Sequence, residues 1–433
     1  MKNIIIGSSA AGISAAEALR RADPTCEIVM ISDEPNPLYS RPLISYYLAG
    51  ELPEERIYYR PPDFYERNRI EARLGRRAVR VEPRANRVIL DNGEELEYDN
   101  LLLATGAVPV FPEIEGLEKR GVFGFRTLKD AKEMLRLLPE VKEAVVLGGG
   151  LVGLKAAVGL RARGVEVTVA VGSPHLLSQM IDARASEIYG ELLEAHGIKV
   201  ATGMEPAKIL GDSQVTGVLM RSGEELPCQL VVVGKGVRAN LEPVEGTEVR
   251  YDYGIIIDEH CRTNIPNIYA AGDVAQSYDV VRGEHWTNAL WPCAVEQGRV
   301  AGLNMAAKEA VYRGSIGMNS VQLFDLPVIS AGLAGLRERD FDEELIVQPA
   351  PRVYKRLVLR GDRVVGFILV GEIENAGLIR SLVAKGVSVA GLKDQLLRES
   401  FGFSEVLPLI EGRSERFPER EYQELIETMR LVS

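Results

Sequence analysis

The chain's 433 residues are 46% hydrophobic and 26% charged, the composition of a folded globular protein, and the length calls for roughly two to four domains. A net charge of −11 argues against general nucleic-acid binding, which needs Lys and Arg to neutralise phosphates. The longest apolar runs, such as residues 230–233, are strand-sized and far short of the roughly 20 residues of a membrane span.

Met1-Lys2-Asn3 runs straight into a predicted strand, so no signal or transit peptide is expected and the cytoplasm is the expected location. The apolar run Asn3 to Ile6 is followed by Gly7-Ser8-Ser9-Ala10-Ala11-Gly12 and an Ala-rich helical pattern. This is the strand, tight turn and helix of a dinucleotide fingerprint, in which free N–H groups at the helix start face a pyrophosphate. Ser9 stands where the middle glycine is usual, a departure that a small side chain tolerates. The unit ends in Glu27-Ile-Val-Met-Ile-Ser-Asp33-Glu34, placing Asp33 or Glu34 about 20 residues beyond the glycines, where an acid accepts hydrogen bonds from a ribose.

Between Arg56 and Arg87, the residues Arg60, Arg67, Arg69, Arg73, Arg76, Arg77, Arg80 and Arg84 outnumber the intervening acids. They form either a dock for an acidic electron-transfer protein or a solvated surface, and the second reading is preferred because charge runs usually do no more.

A second complete unit runs from Glu143 through Gly148-Gly149-Gly150-Leu151-Val152-Gly153 to Val169, with all three glycines intact. Two fingerprints predict two dinucleotides. Here, however, the strand end reads Val171-Gly172-Ser173, with neither the ribose acid nor an Arg for a 2′-phosphate. Asp182 is too far along, and a lone His175 is more often structural.

Other segments complete the pattern: Tyr39-Ser40-Arg41-Pro42-Leu43, the strand end Ala104-Thr105-Gly106, Gly234-Lys235-Gly236, the strand end Gly272-Asp273, and Trp286 through Trp291-Pro292 to Glu296-Gln297 and Gly302. This ordered set, over roughly residues 1–400, resembles the pyridine nucleotide-disulfide reductase superfamily. The resemblance implies an α/β fold of two Rossmann-like, three-layer ββα dinucleotide-binding domains plus a small α+β C-terminal domain. Residues 1–108 and 242–312 would form a discontinuous FAD-binding domain, 109–241 the NAD(P)-binding domain, 313–400 the α+β interface domain and 401–433 a charged tail.

By the same resemblance FAD takes Gly7, Ser9, Ala10, Ala11, Gly12, Asp33 or Glu34, Arg41, Pro42, Ala104, Thr105, Gly106, Gly272, Asp273, Glu296 and Gln297. Asp273 would meet the ribityl chain and Arg41 the pyrophosphate. The helix carrying Glu296 and Gln297 would point its positive end at the flavin ring. NAD(H) takes Gly148, Gly150, Leu151, Val152, Gly153 and Gly236, with NADP(H) not excluded. Lys155 replaces a Glu frequent in relatives, and three placements stay open for it: near the flavin, near a nicotinamide phosphate, or in solvent.

Cys26, Cys228, Cys261 and Cys293 contain no C-x-x-C pair, which disfavours a disulfide framework or zinc site. The C-x-x-x-x-C pair of disulfide reductases is absent, and so is the single Cys that relatives place near Tyr39 to Ser45. Thiol chemistry is thus disfavoured. The segments Val321 to Pro327, Tyr354 to Leu359 and Arg363 to Gly377 read as strands followed by a helix and resemble the small domain of rubredoxin and ferredoxin reductases and of the nucleotide-oxidising part of nitrite reductases. A closer resemblance is to the flavoprotein subunit attached to anaerobic oxidoreductase complexes, where it links iron-sulfur clusters to NAD.

The expected activity is therefore FAD-dependent electron transfer between NAD(H) and a ferredoxin, rubredoxin or iron-sulfur subunit, as a homodimer or within a heteromeric complex. A peroxide-forming NADH oxidase and a flavin relay subunit with a decayed nicotinamide site are the alternatives. A helix is expected over residues 419–429, carrying Tyr422, Leu425, Ile426 and Met429, either packed on the chain's own surface or gripping a partner.

Overall fold

The computed structural model describes residues 1–35, 38–335, 338 and 340–411; the helix expected over residues 419–429 lies outside them. The chain divides into two compact units. One holds Met1–Pro174, Leu193–Asp279 and Gly283–Ser315, and the other His175–Leu192, Val280–Arg282 and the chain from Ile316 onward.

The first unit contains both dinucleotide folds, each on a five-stranded parallel sheet. In the first, β1 (Lys2–Ile6), α1 (Ala10–Ala22), β2 (Glu27–Ser32), α2 (Ile44–Ala49), β3 (Ile70–Leu74) and β4 (Asn100–Leu103) follow in order. The second uses β5 (Val122–Gly124), β6 (Glu143–Leu147), α3 (Leu151–Ala162), β7 (Glu166–Val171), β8 (Ile198–Thr202) and β9 (Leu230–Val233). The chain then returns to the first sheet with β10 (Ile268–Ala270) and α4 (Trp291–Met305). The strand orders are β10-β4-β1-β2-β3 and β8-β7-β6-β9-β5. Each order reverses direction at the strand that carries a fingerprint, the place where open parallel sheets bind ligands.

The parallel strands are apolar without alternation because both faces are covered. In the first sheet Ile4, Ile5, Met30 and Leu102 are fully buried. They share a core with Val81, Val88 and Leu90 of an antiparallel sheet formed by Ala78–Glu82, Arg87–Leu90 and Glu95–Glu97. In the second sheet Val145, Leu147 and Val231 pack with Ile209, Val218 and Met220 of a similar antiparallel sheet. This is the expected three-layer arrangement. The strand Ala107–Pro109 pairs antiparallel with Val237–Ala239, joining the two folds.

In the second unit an antiparallel sheet has the order β11 (Met318–Leu323), β12 (Leu326–Gly332), β15 (Arg363–Val370), β14 (Val353–Arg360), β13 (Glu343–Ala350). Phe367 and Leu357 of this sheet bury against Ile379 and Leu382 of α5 (Ala376–Lys385). Residues 175–192, inside the span expected for the second dinucleotide domain, group with this sheet. The reason is polar anchoring: the Tyr189 hydroxyl donates to the Leu326 carbonyl at 2.8 Å, and the Tyr354 hydroxyl donates to Asp182 at 2.5 Å. Arg356, only 5% exposed, pairs with both Glu344 at 3.0 Å and Asp182 at 3.6 Å.

In the first unit α1 and α4 cross at backbone contact. A Cβ on Gly298 would lie 2.1 Å from the Ala11 carbonyl oxygen, and one on Gly302 would lie 2.3 Å from that of Ala15. Gly302→Ala is expected to lower stability by about 1–3 kcal/mol, because displacing a packed helix outweighs the ~1 kcal/mol that Ala contributes to helix propensity. Denaturant unfolding of the two proteins measures the difference, and an unchanged or higher midpoint would contradict the steric argument.

Candidate functional site

At the first fingerprint β1 turns through Gly7, whose φ of +116° is strained for any L side chain. A Cβ there would lie 2.0 Å from the Ala104 carbonyl oxygen, and one on Gly12 would lie 1.9 Å from that of Gly7. Turn, helix start and β4 are thus compressed into mutual contact. Ser9 needs no glycine, since its backbone is extended at φ −102°; it sits at the N-cap of α1 without a side-chain capping bond. The first turn, Ala10-Ala11-Gly12, carries no acid and Ser9 gives it no side-chain cap, which leaves the first amides without an intrahelical partner, the arrangement that suits an anion. Gly272 joins the same cradle, its position for a Cβ 3.1 Å from Ala11 and 3.6 Å from Ala294 of α4.

The two candidate ribose acids differ. Glu34 is engaged within the protein: it pairs with Arg41 and accepts from the Tyr39 hydroxyl at 2.5 Å. Burial holds the Tyr39 hydroxyl well above its usual pKa, so it remains a donor to Glu34 while accepting from the Leu128 amide at 3.0 Å. Asp33 stands exposed just past β2. Arg41, Pro42 and Leu43 form a short 3-10 turn with the proline in its first positions.

Arg126 was not singled out by the sequence, yet it links two predicted site residues. Its guanidinium donates to Asp273 at 2.9 Å and its carbonyl accepts from Arg41 at 3.1 Å. The one sequence signal nearby is the capping box Thr127-x-x-Asp130, formed as such, which fixes the helix start beside it. Thr105 donates to the Asn240 carbonyl at 2.8 Å, and the Gly106 carbonyl accepts from the Asn240 amide at 3.0 Å, locking the two crossings together.

Gln297 and Glu296 both have partners within the protein. The Gln297 side chain is 2% exposed; it accepts from the Gly272 amide at 2.8 Å and donates to Ser277 at 3.1 Å. Gln297 thereby positions Gly272 through its backbone. Glu296 pairs with Arg299 one turn along at 2.6 Å. The start of α4 has Pro292 in its first turn and no side-chain cap. Next to it the buried Tyr59 hydroxyl lacks a hydrogen-bond partner, with its ring edge-on to Trp291 at 5.3 Å. Uncapped helix starts, an orphaned hydroxyl and a glycine cradle beside Asp273 fit a bound dinucleotide.

The second fingerprint repeats the geometry. Gly148 has φ +124°; its Cβ would lie 2.3 Å from the Gly234 carbonyl oxygen, and that of Gly153 2.3 Å from the Gly148 carbonyl oxygen. Above Gly150, the uncapped N-cap of α3, the space is open. Leu151 and Val152 form the first turn, with Val152 exposed, and Gly236 faces open space beyond β9. Lys155 is half-buried, its ammonium 4.5 Å above the Tyr46 ring and donating to the Tyr46 hydroxyl at 3.1 Å. It ties α3 to α2. Asp182 is engaged with Tyr354, Arg356 and the Ala185 amide.

Three of the four thiols, Cys26, Cys228 and Cys261, are buried, and Cys293 stands at the first site in the start of α4. Burial pushes the Cys228 thiol up to about 12 and that of Cys261 higher still. Cys26 is also raised by burial, and Cys293 lies half-buried in the first turn of α4. Among the described residues no cluster of His, Cys, Asp and Glu suits a metal ion, and no helix is long and apolar enough to cross a membrane. Within the arginine run, Arg60 pairs with Glu17, Arg67 with Asp63, Arg73 with Glu94, Arg77 with Glu242 and Arg84 with Glu248.

The pattern of the pyridine nucleotide-disulphide oxidoreductase family matches residues 1–298. The chain belongs to that family. It is an oxidoreductase that binds FAD and uses NAD(P)H as co-substrate, as the sequence implied. Residues 318–387 match the C-terminal domain of rubredoxin NAD+ reductase.

The chain is 31% identical over 395 residues to a nitrite reductase [NAD(P)H] of Bacillus subtilis (strain 168), covering 89% of this chain but 48% of that protein. It thus spans about half that relative's length. It is 29% identical to the epsilon subunit of an NADH-dependent phenylglyoxylate dehydrogenase of Aromatoleum evansii, covering 92% and 94% of the two chains. A ferredoxin reductase from Rhodopseudomonas palustris superposes with a TM-score of 0.83 at 28% identity, over 94% of this chain and all of that one.

If the buried thiols are structural, alkylation of the folded protein between about pH 7 and 9 leaves Cys228 and Cys261 unlabelled, because burial shields them and raises their pKa values far enough to keep them protonated there. Peptide mass spectrometry reads the labelling. Cys293→Ala is expected to retain flavin content and flavin reduction by NADH within about twofold; a collapse of reduction with flavin retained would restore a thiol mechanism.

Proposed function

We propose that this protein transfers electrons between NAD(H) and a one-electron iron-sulfur protein, either a ferredoxin or rubredoxin or the iron-sulfur subunit of a larger complex. The observation that carries the reading is the pairing of two glycine cradles, each ending in an uncapped helix start, with Cys228 and Cys261 buried and held protonated. Only the single Cys293 stands at a cradle, with no second thiol in sequence to pair with it as a redox disulfide. The match to the rubredoxin reductase C-terminal domain and the likeness to the phenylglyoxylate dehydrogenase subunit support the same branch.

FAD, when bound, supplies two-electron acceptance from a nicotinamide and release of single electrons. The chain's own residues bind and orient. The Ala10 and Ala11 amides, with Gly7 and Gly12 clearing the approach, take the FAD pyrophosphate, and Arg41, aligned by Glu34, adds a positive fork to it. Asp33 accepts from the adenine ribose. Asp273, held by Arg126, accepts from the ribityl chain, and Gln297 keeps the Gly272 turn in place for it. The α4 start directs its positive end toward charge accumulating on reduction. Gly148, Gly150 and Gly153, with the amides of Leu151 and Val152, take the nicotinamide dinucleotide pyrophosphate, while Gly236 clears space at the second crossing. Lys155 acts as a positioning residue that couples α3 to α2 through Tyr46.

Anaerobic mixing with NADH is expected to bleach the flavin absorbance rapidly, with reoxidation by ferredoxin or rubredoxin faster than by air. Failure to bleach would refute the electron-transfer reading; reoxidation faster by air would favour the oxidase. Asp273→Ala is expected to weaken FAD binding about 10–100-fold, the scale of one hydrogen bond to a charged acceptor. Flavin titration of the apoprotein checks it, and unchanged affinity would remove Asp273 from the site.

A further inference from the structure

The second dinucleotide fold lacks an acid at the end of β7, where the ribose of a nicotinamide dinucleotide is normally read. The strand ends at Val171 and is followed by Gly172 and Ser173. Gly172 has no left-handed backbone to explain it, because its φ lies outside the positive range. The space beside it is occupied by a side chain from the adjacent segment. A Cβ on Gly172 would lie 1.6 Å from Oε1 of Glu205 and 2.6 Å from the carboxyl carbon. Glu205 comes from the neighbouring strand, three residues beyond the end of β8 at Thr202. Its segment is pinned there by two backbone bonds: the Met204 amide donates to the Val171 carbonyl at 3.0 Å and the Arg221 amide to the Glu205 carbonyl at 2.8 Å.

Lys235 completes the arrangement. It follows Gly234, whose carbonyl touches the fingerprint at Gly148, and its ammonium donates to Oε2 of Glu205 at 3.1 Å. One carboxylate oxygen is thereby engaged by a lysine next to the fingerprint, while the other lies against Gly172. About half of the Glu205 side chain remains exposed, so its lone pairs are open to a ligand as well as to water. An exposed ion pair alone contributes little. A carboxylate held over a glycine at the position of the missing ribose acid has a chemical use.

We propose that Glu205 reads the adenine ribose of the nucleotide at the second site and makes the protein select NADH over NADPH. The inference rests on the second fingerprint holding a nicotinamide dinucleotide. Its carboxylate accepts hydrogen bonds from the ribose hydroxyls, which are donors. A 2′-phosphate offers no such donor when ionised and brings negative charge against the carboxylate, which disfavours NADPH. Lys235 is the positioning residue: it restrains Glu205 and, with Glu205 removed, becomes a cation available to a 2′-phosphate.

Binding of 5′-AMP and of 2′,5′-ADP to the FAD-loaded protein, measured by titration calorimetry, isolates the adenosine end from flavin reduction. The wild type is expected to prefer 5′-AMP at least tenfold. Glu205→Ala is expected to lose about tenfold in affinity for 5′-AMP and to abolish the preference, with the ratio of kcat/KM for NADH over NADPH falling in parallel. Glu205→Ala/Lys235→Gln should keep the loss of 5′-AMP affinity while losing any gained affinity for 2′,5′-ADP. If Glu205→Ala, with unchanged flavin content and melting temperature, keeps both the 5′-AMP affinity and the preference, Glu205 is a surface ion-pair partner and the proposal is overturned. If the wild type binds neither nucleotide, the assignment of the second site itself falls, an outcome distinct from an unchanged preference.

Discussion

Everything at the two sites depends on one steric constraint: the strand carrying each fingerprint must turn within touching distance of its neighbour's carbonyl. Gly7 meets Ala104 and Gly148 meets Gly234 in this way, with room for no Cβ at either place. The contact is made at the strand where the sheet order reverses, so the helix that follows begins at the mouth of the crevice with its amides directed outward. Displacing that turn by the roughly one ångström that a Cβ so close to a carbonyl oxygen would demand moves the helix start and the crossing segments with it, because Thr105 and Gly106 are both tied to Asn240. Binding, domain joining and helix placement therefore share one geometric condition.

Around this shared condition the first site adds a polar scaffold that has no counterpart in the glycine pattern. Arg126 connects Asp273 to Arg41, Glu34 aligns Arg41, and the protonated Tyr39 bridges Glu34 to the start of the following helix. Most of these groups are half-buried, where a charge keeps its stability only if paired and hydrogen-bonded. The network accordingly fixes each candidate ligand in one orientation before any nucleotide arrives, which lowers the ordering cost of binding. Gln297 does the same for the Gly272 turn from within the core.

The parts of this architecture that were legible in the sequence are those written in local pattern. Apolar runs without alternation, glycines at fixed offsets and Ala-rich helix starts identified both parallel sheets, since a buried strand and a tight turn leave few residue choices. The small C-terminal domain was legible through the same kind of patterning in residues 353–370. Long-range pairings were not. Arg126 meets Asp273 across 147 positions of sequence, and nothing in either neighbourhood signals the other. Glu296 and Gln297 show the converse: adjacent in a suggestive motif, they lie on different sides of α4, one pairing with Arg299 and the other buried against Gly272 and Ser277. Helical geometry separates neighbours by about 100°, so a motif alone does not say which of the two faces a ligand.

The absence of an acid after β7 has a physical origin in the path of the chain. After Pro174 the chain leaves the dinucleotide fold, contributes residues 175–192 to the C-terminal unit, and returns at Leu193. Asp182, the first acid after the strand, is spent inside that excursion on Tyr354, Arg356 and the Ala185 amide. Only Val171, Gly172 and Ser173 remain to end the strand, and a short, small-residue end leaves a gap beside the adjacent strand. The carboxylate that lies in this gap arrives from β8, after the excursion is complete. A search confined to the residues following the fingerprint meets the acid that the second unit uses and misses the one the dinucleotide fold retains.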